Sequence, residues 1–256
     1  MRKGFLFAAF AVLFATSTLA GTLEIVSSFQ SQKYWRKGLE YADGYLYATS
    51  NYSDNNVHVY TTNGILVRTI PTPPSAVGLE VSHAPSGYLW LCTATSPGYG
   101  YLMDLSSGSI VSSFAGPASG AGISSDGTYL YWSTTFAERL YVLTTTGSVV
   151  RSFTQPARHP GGCDYVAPGY LWLCDWYLFA ERIYYYTTTG SMVDSFKTPG
   201  APQIRPSGVT WDGNYVWYHH YRFELQFPSY VYRTRATFSG VDVEPASIGK
   251  VKAIFR

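Results

Sequence analysis

Charged side chains are scarce: Asp, Glu, Lys and Arg make up only 13% of the 256 residues, with 18 basic against 16 acidic. Arg2 and Lys3 are the only charges in residues 1–20, so the remainder is formally neutral. No global basic field recommends a nucleic acid or an anionic membrane surface, and no nucleic-acid partner is expected. Cysteine is nearly absent, with three copies, an odd number that fits a disulfide framework only loosely. Beyond the N-terminus there is no apolar run long enough to span a bilayer. The chain also lacks a phosphate-binding Gly-x-x-x-x-Gly-Lys loop, a Gly-x-Ser-x-Gly elbow and a His-Glu-x-x-His pair, so no cofactor and no metal are expected. His219 and His220 are adjacent, so on a strand they point to opposite faces and do not share one ion.

Aromatic residues and glycine are what the chain has in quantity. Tyrosine alone counts 23, against 14 Phe and 7 Trp, and there are 24 Gly. Aromatics favour pleated strands and Gly favours tight turns, so the composition points to an all-β chain and excludes a helical bundle or coiled coil. At the N-terminus, Arg2 and Lys3 precede an apolar run from Phe5 to Leu13, and small residues lead to Ala20 and Gly21. This pattern is expected of a secretory signal peptide over residues 1–20, cleaved before Gly21, and it predicts a secreted protein: extracellular, periplasmic or on the cell surface.

Self-comparison finds one unit five times. Gly followed by an apolar residue, then a turn and Tyr-apolar-aromatic, occurs at Gly38-Leu39 with Tyr45-Leu-Tyr47, and at Gly78-Leu79 with Tyr88-Leu-Trp90. It recurs at Gly122-Ile123 with Tyr129-Leu-Tyr131, at Gly162-Cys163 with Tyr170-Leu-Trp172, and at Gly208-Val209 with Tyr215-Val-Trp217. The first four are each followed by a second pattern of the kind Val142-Leu-Thr-Thr-Thr-Gly147, and then by an alternating run such as Ser148-Val-Val-Arg-Ser-Phe153. Four short strands per unit joined by Asp-Gly, Pro-Gly or Thr-Thr-Gly turns describe one antiparallel sheet, and radial repetition of such sheets makes a β-propeller. Five four-stranded blades over residues 21–238 are expected, or six if residues 239–256 build part of another. Ile25-Val-Ser-Ser-Phe29 is identical to Ile110-Val-Ser-Ser-Phe114, an outermost strand of its own unit, so the N-terminal segment is expected to complete the last blade and close the ring.

With these units the chain resembles secreted bacterial propellers of the broad NHL/YVTN type, a likeness that covers residues 22 to about 237 and implies fold more than activity. Residues Lys37 to Ser50, followed by Val59 and Thr62-Asn-Gly64, resemble the first blade of the five-bladed glutaminyl cyclotransferases. That family's pattern places a Glu where Ala48 stands, and Ala cannot move a proton. Glu40 lies before the turn and is not a matched substitute.

In propellers, the loops leading into each innermost strand share one face with the loops between second and third strands. On that face the sequence places Trp35, Arg36, Lys37, Arg158, His159 and Arg205, together with Trp176, Tyr177, His219 and Tyr221. Aromatic faces stack on sugar rings and cations pair with carboxylate or sulfate. The expectation is therefore a non-enzymatic binding module for a glycan or surface protein. The alternatives are an assembly protein that uses its C-terminal tail, residues 239–256, and a cyclotransferase-like enzyme. The repeated Phe136-Ala-Glu-Arg139 and Phe179-Ala-Glu-Arg182 are read as loop braces in which Arg pairs with its neighbouring Glu. A turn centred on Pro168-Gly169 would set Cys163 opposite Cys174 for a cross-strand disulfide; three buried thiols are the other reading.

Overall fold

The computed structural model describes residues 20–31, 36–50, 55–81, 87–177, 181–200, 205–221 and 229–239. The expected signal sequence, apart from Ala20, lies outside them, as do residues 240–256 of the tail. Every regular element among the described residues is a strand, and they form five four-stranded antiparallel sheets, five blades and not six. Blade I holds β2 (Arg36–Ala42), β3 (Tyr45–Ser50), β4 (Asn56–Thr61) and β5 (Leu66–Pro71). Blade II holds β6 (Ala76–Val81), β7 (Tyr88–Thr93), β8 (Gly98–Asp104) and β9 (Ile110–Gly116). Blade III holds β10 (Gly120–Ser125), β11 (Tyr129–Thr134), β12 (Arg139–Thr144) and β13 (Val149–Thr154). Blade IV holds β14 (Pro160–Val166), β15 (Tyr170–Asp175), β16 (Arg182–Thr187) and β17 (Met192–Lys197). Blade V joins β18 (Arg205–Trp211), β19 (Val216–Tyr221) and β20 (Tyr230–Thr237) to β1 (Thr22–Gln30), so the N-terminal strand does close the ring.

The repeat motifs translate into three packing devices. The first is a glycine ring where the innermost strands approach one another. A methyl group on Gly122 would lie 2.6 Å from the backbone nitrogen of Cys163 and 2.8 Å from Gly162 Cα, and one on Gly162 would lie 2.9 Å from Gly208 Cα. The second is a latch from the second strand to the next blade, made in blades I and III. Thr49 Oγ1 donates to the Val77 carbonyl at 2.6 Å, and Ser133 Oγ donates to the Gly161 carbonyl at 2.8 Å. Cys92, Cys174 and His219 stand at the same repeat position. The third is an outer seam in which a Phe of one fourth strand lies over the turn glycine of the following blade: Phe29 over Gly64, Phe114 over Gly147 and Phe153 over Gly190. Between blades, Trp132, Trp172 and Trp217 are among the largest fully buried side chains, and burial of such rings is the main favourable term of the fold.

The cross-strand disulfide expected between Cys163 and Cys174 does not form: all three cysteines are buried thiols. Val166 pairs with Tyr170, so the turn holds three residues, Ala167-Pro168-Gly169, with Gly169 at φ +83°. That shifts the pairing by one residue and sets Cys163 opposite Leu173. A one-residue shift moves a side chain to the other face of the sheet, and the two thiols pack in different apolar clusters. Burial pushes the Cys174 thiol well above its usual pKa, so it is no nucleophile. A thiol reagent is therefore expected to label no cysteine of the native protein and all three after denaturation without reductant. Recovery of one thiol instead of three would restore the disulfide.

Candidate active site at the channel mouth

Blade IV builds the mouth of the channel around a buried carboxylate. Asp175 closes β15 with 0% exposure. Its Oδ2 accepts the backbone N–H of Arg158 at 3.0 Å, and its Oδ1 accepts those of His159 at 3.2 Å and Tyr177 at 2.9 Å. Three amides on one carboxylate fold the loop ahead of β14 against the loop after β15, and Trp176 N–H adds a bond to the His159 carbonyl. The His159 ring then stacks on Trp176 at 4.9 Å and 23°, lies 4.8 Å from Tyr177, and meets the edge of Phe136 from blade III at 6.1 Å. The Arg158 guanidinium sits 5.5 Å from the centre of the Tyr177 ring, a cation–π distance. His159, Trp176 and Tyr177 are half-buried and Arg158 is exposed, so the cluster has a solvent face.

Glu181 stands just before β16, next to Arg182, which pairs with Asp175 across the ladder. It has φ +42°, its carbonyl receives the N–H and the hydroxyl of Thr198, and only 2% of it is exposed. Its Oε1 is buried with no hydrogen-bond partner among the described residues. Burial raises the carboxyl pKa, while the positive charges of Arg205, at the start of β18, and Lys197 oppose the shift. Its counterpart in blade III, Glu138, has a similar backbone, φ +49°, but an exposed side chain. The expected Glu–Arg braces are corrected: Arg139 bonds Ser152 Oγ at 2.7 Å and Arg182 bonds Ser195 Oγ at 3.1 Å, which leaves the two glutamates outside those contacts.

The structure brings Arg158, His159, Trp176, Tyr177 and Arg205 to one end of blades IV and V, as the sequence reading grouped them. Arg36 and Lys37 open β2 at the equivalent end of blade I, Tyr221 closes β19, and Trp35 lies outside the described residues. His219 is different: it is 0% exposed and its Nδ1 lies 3.1 Å from Ser207 Oγ of the same blade, so it is a buried structural residue rather than a ligand contact. Pattern reading missed Asp175 and Glu181. A signal existed for the first, because blades I to III carry Ser50, Thr93 and Thr134 at the position of Asp175.

Deeper along the channel wall, inner-strand side chains bond the amides of the next blade. Ser124 Oγ accepts from Tyr165, Asp164 Oδ2 from Trp211 at 2.7 Å, and Thr210 Oγ1 from Tyr41 at 3.0 Å. Thr210 Oγ1 also lies 3.2 Å from Asp164 Oδ2 and 3.4 Å from Glu40 Oε2. All four side chains are fully buried and act as spokes of the ring. Ala48, where the cyclotransferase pattern has Glu, is 0% exposed in an apolar cluster with Leu39, Leu46, Tyr60 and Trp217. Among the described residues no group of three or more His, Cys, Asp and Glu is arranged to hold a metal ion, and no helix is long and apolar enough to cross a membrane.

No family model matches the sequence, and no curated protein does. Solved structures do. The glutaminyl cyclase of Myxococcus xanthus superposes with a TM-score of 0.68 at 12% identity, covering 88% of this chain and 100% of that one. The PQQ-bound aldose sugar dehydrogenase of Streptomyces coelicolor gives 0.54 at 10% identity, covering 86% and 99%. The virginiamycin B lyase of Staphylococcus aureus gives 0.51 at 14%, covering 88% and 90%. Such identities establish the fold. They also correct the expected function: these named neighbours are enzymes, which removes the support for a non-enzymatic glycan-binding module.

Proposed function

We propose that the chain is an exported enzyme whose reaction centre is the mouth between blades IV and V. Glu181 carries the proton, Arg205 and Arg158 polarise a substrate oxygen, and Trp176, Tyr177 and His159 hold the substrate's flat or apolar face. The observation that supports this most is the contrast between two copies of one repeat residue. Glu138 is exposed, whereas Glu181 is enclosed, has one oxygen without a partner among the described residues, and lies in the field of Arg205. A carboxyl moved toward neutrality beside a fixed cation suits proton transfer.

Intramolecular cyclisation at an amide needs no more than these groups, and the glutaminyl cyclase neighbour makes an N-terminal glutaminyl peptide the first substrate. The α-amine nitrogen attacks the side-chain amide carbon and forms the new C–N bond, while the oxygen gathers negative charge beside the guanidinium of Arg205. Glu181 removes one proton from the attacking nitrogen and returns it to the amide nitrogen. The old C–N bond then breaks and ammonia leaves. Because Ala48 replaces the carboxylate of blade I, this reading places the proton carrier in blade IV.

The test is incubation of the chain beginning at Gly21 with a glutaminyl peptide and with its N-acetylated twin. Conversion with stoichiometric ammonia is expected for the first peptide only, and Arg205→Met is expected to lower kcat/KM by about 100-fold. No conversion above the uncatalysed rate would overturn the cyclase reading.

A further inference from the structure

The ring is closed by an interrupted blade, and one carboxylate holds both ends of the interruption. In blades I to IV a turn ending in Gly64, Gly108, Gly147 or Gly190 carries the chain from third to fourth strand. In blade V that turn does not exist: β20 ends at Thr237 and the fourth strand, β1, begins at Thr22 after Gly21. Gly21 takes the place of the turn glycine. A methyl group on it would run into Phe196 Cε1, so the Phe196 ring covers Gly21 as Phe114 covers Gly147. Gly21 N donates to Asp194 Oδ1, and Ser239 bonds the same carboxylate through its N–H (2.7 Å to Oδ2) and its hydroxyl.

Three observations set Asp194 apart. It is 1% exposed on an outermost strand, and no described cation pairs with it. The equivalent residues are Arg68 in blade I, Ser112 in blade II, Arg151 in blade III and Ser27 in blade V, so an acid stands only beside the chain ends. Most telling is the geometry at Gly21 N, which has two acceptors at 3.0 Å, Asp194 Oδ1 and the Ser195 carbonyl. A peptide N–H has one hydrogen to share between them. An α-ammonium has three and a full positive charge, and it answers both acceptors and the buried carboxylate together.

We propose that cleavage between Ala20 and Gly21 creates an N-terminal binding site: the new α-ammonium of Gly21 forms a buried ion pair with Asp194 and completes ring closure. Hydrolysis supplies the change, since water adds across the Ala20–Gly21 amide, leaving a carboxylate on Ala20 and an amine on Gly21 that takes up a proton near neutral pH. Ala20 is exposed, so the bond is approachable, whereas Gly21 is buried. This inference rests on the N-terminal leader and not on the proposed catalysis, and it holds or fails independently of turnover.

The experiment compares the chain beginning at Gly21 with one carrying a single extra alanine, each with Asp194 intact and with Asp194→Asn. The free Gly21 amine is expected to raise Tm by about 5 °C over the extended chain, and the difference to vanish in Asp194→Asn. A second readout needs no variant: an amine-directed reagent is expected to modify the Gly21 α-amine at least about tenfold more slowly in the folded protein than in the unfolded chain. N-terminal mass analysis of exported protein is expected to find Gly21 first. Equal Tm for the two chains, a difference that survives Asp194→Asn, unprotected amine reactivity, or a different mature N-terminus would each overturn the proposal.

Discussion

Gly122→Ala is expected to destabilise the propeller by about 3 kcal/mol, with Tm lower by about 10 °C, although the substitution adds only one methyl group. The methyl would lie 2.6 Å from Cys163 N, 2.8 Å from Gly162 Cα and 2.9 Å from the Gly161 carbonyl. All three are backbone atoms of a neighbouring inner strand, so no side chain can rotate out of the way. Blade III and blade IV must move apart, and because the ring is closed the displacement is passed on to the seam between blades IV and V, where Gly162 approaches Gly208 Cα. Chemical denaturation of Gly122→Ala against the parent chain measures the loss. A change below about 0.5 kcal/mol would show that the glycine ring is not a close contact.

Glu181→Gln is expected to separate activity from stability. The amide keeps the shape of the carboxyl but cannot move a proton, so turnover is expected to fall by about 100-fold or more. Stability runs the other way. Burial raises the Glu181 pKa above its unfolded value of 4.5, so the folded state holds the proton more tightly than the unfolded chain. Stability contributed by this group is then fully present below the unfolded pKa and is lost as pH rises through the folded one. Gln carries no such penalty. The parent chain is therefore expected to lose stability relative to Glu181→Gln as pH rises from about 4.5 toward neutrality. Urea midpoints of both proteins across that range test it, and a gap that does not change with pH would contradict the burial of this carboxyl.

The repeats carry the architecture in the sequence because each blade needs the same local chemistry. Gly122 and Gly162 sit where strands nearly touch, Tyr-apolar-aromatic triplets fill the spaces between blades, and Ile25 to Phe29 repeats an outermost strand and so announces the closure. Turn length, unlike periodicity, is poorly encoded in sequence: three residues at Ala167-Pro168-Gly169 in place of two turn Cys163 away from Cys174 and exclude the disulfide. Repetition also concealed Glu181. As the second copy of Phe-Ala-Glu-Arg it reads as a brace, and only the neighbouring blade, with Arg205, gives it surroundings that Glu138 lacks. Asp175 and Asp194 act on backbone amides, which leave no pattern of partner residues to find. Both carboxylates depart from what the other blades carry at their repeat positions, and a departure of that kind is where this sequence signals something beyond the fold.

The most direct measurement of the central claim is turnover of an N-terminal glutaminyl peptide by three proteins side by side: the parent chain, Glu138→Gln and Glu181→Gln. The two variants make the same chemical change at the same repeat position, one in blade III and one in blade IV. The account predicts that Glu138→Gln retains the parent rate and Glu181→Gln loses about 100-fold with its fold intact. Equal rates in the two variants would contradict a reaction centre at the mouth of blades IV and V.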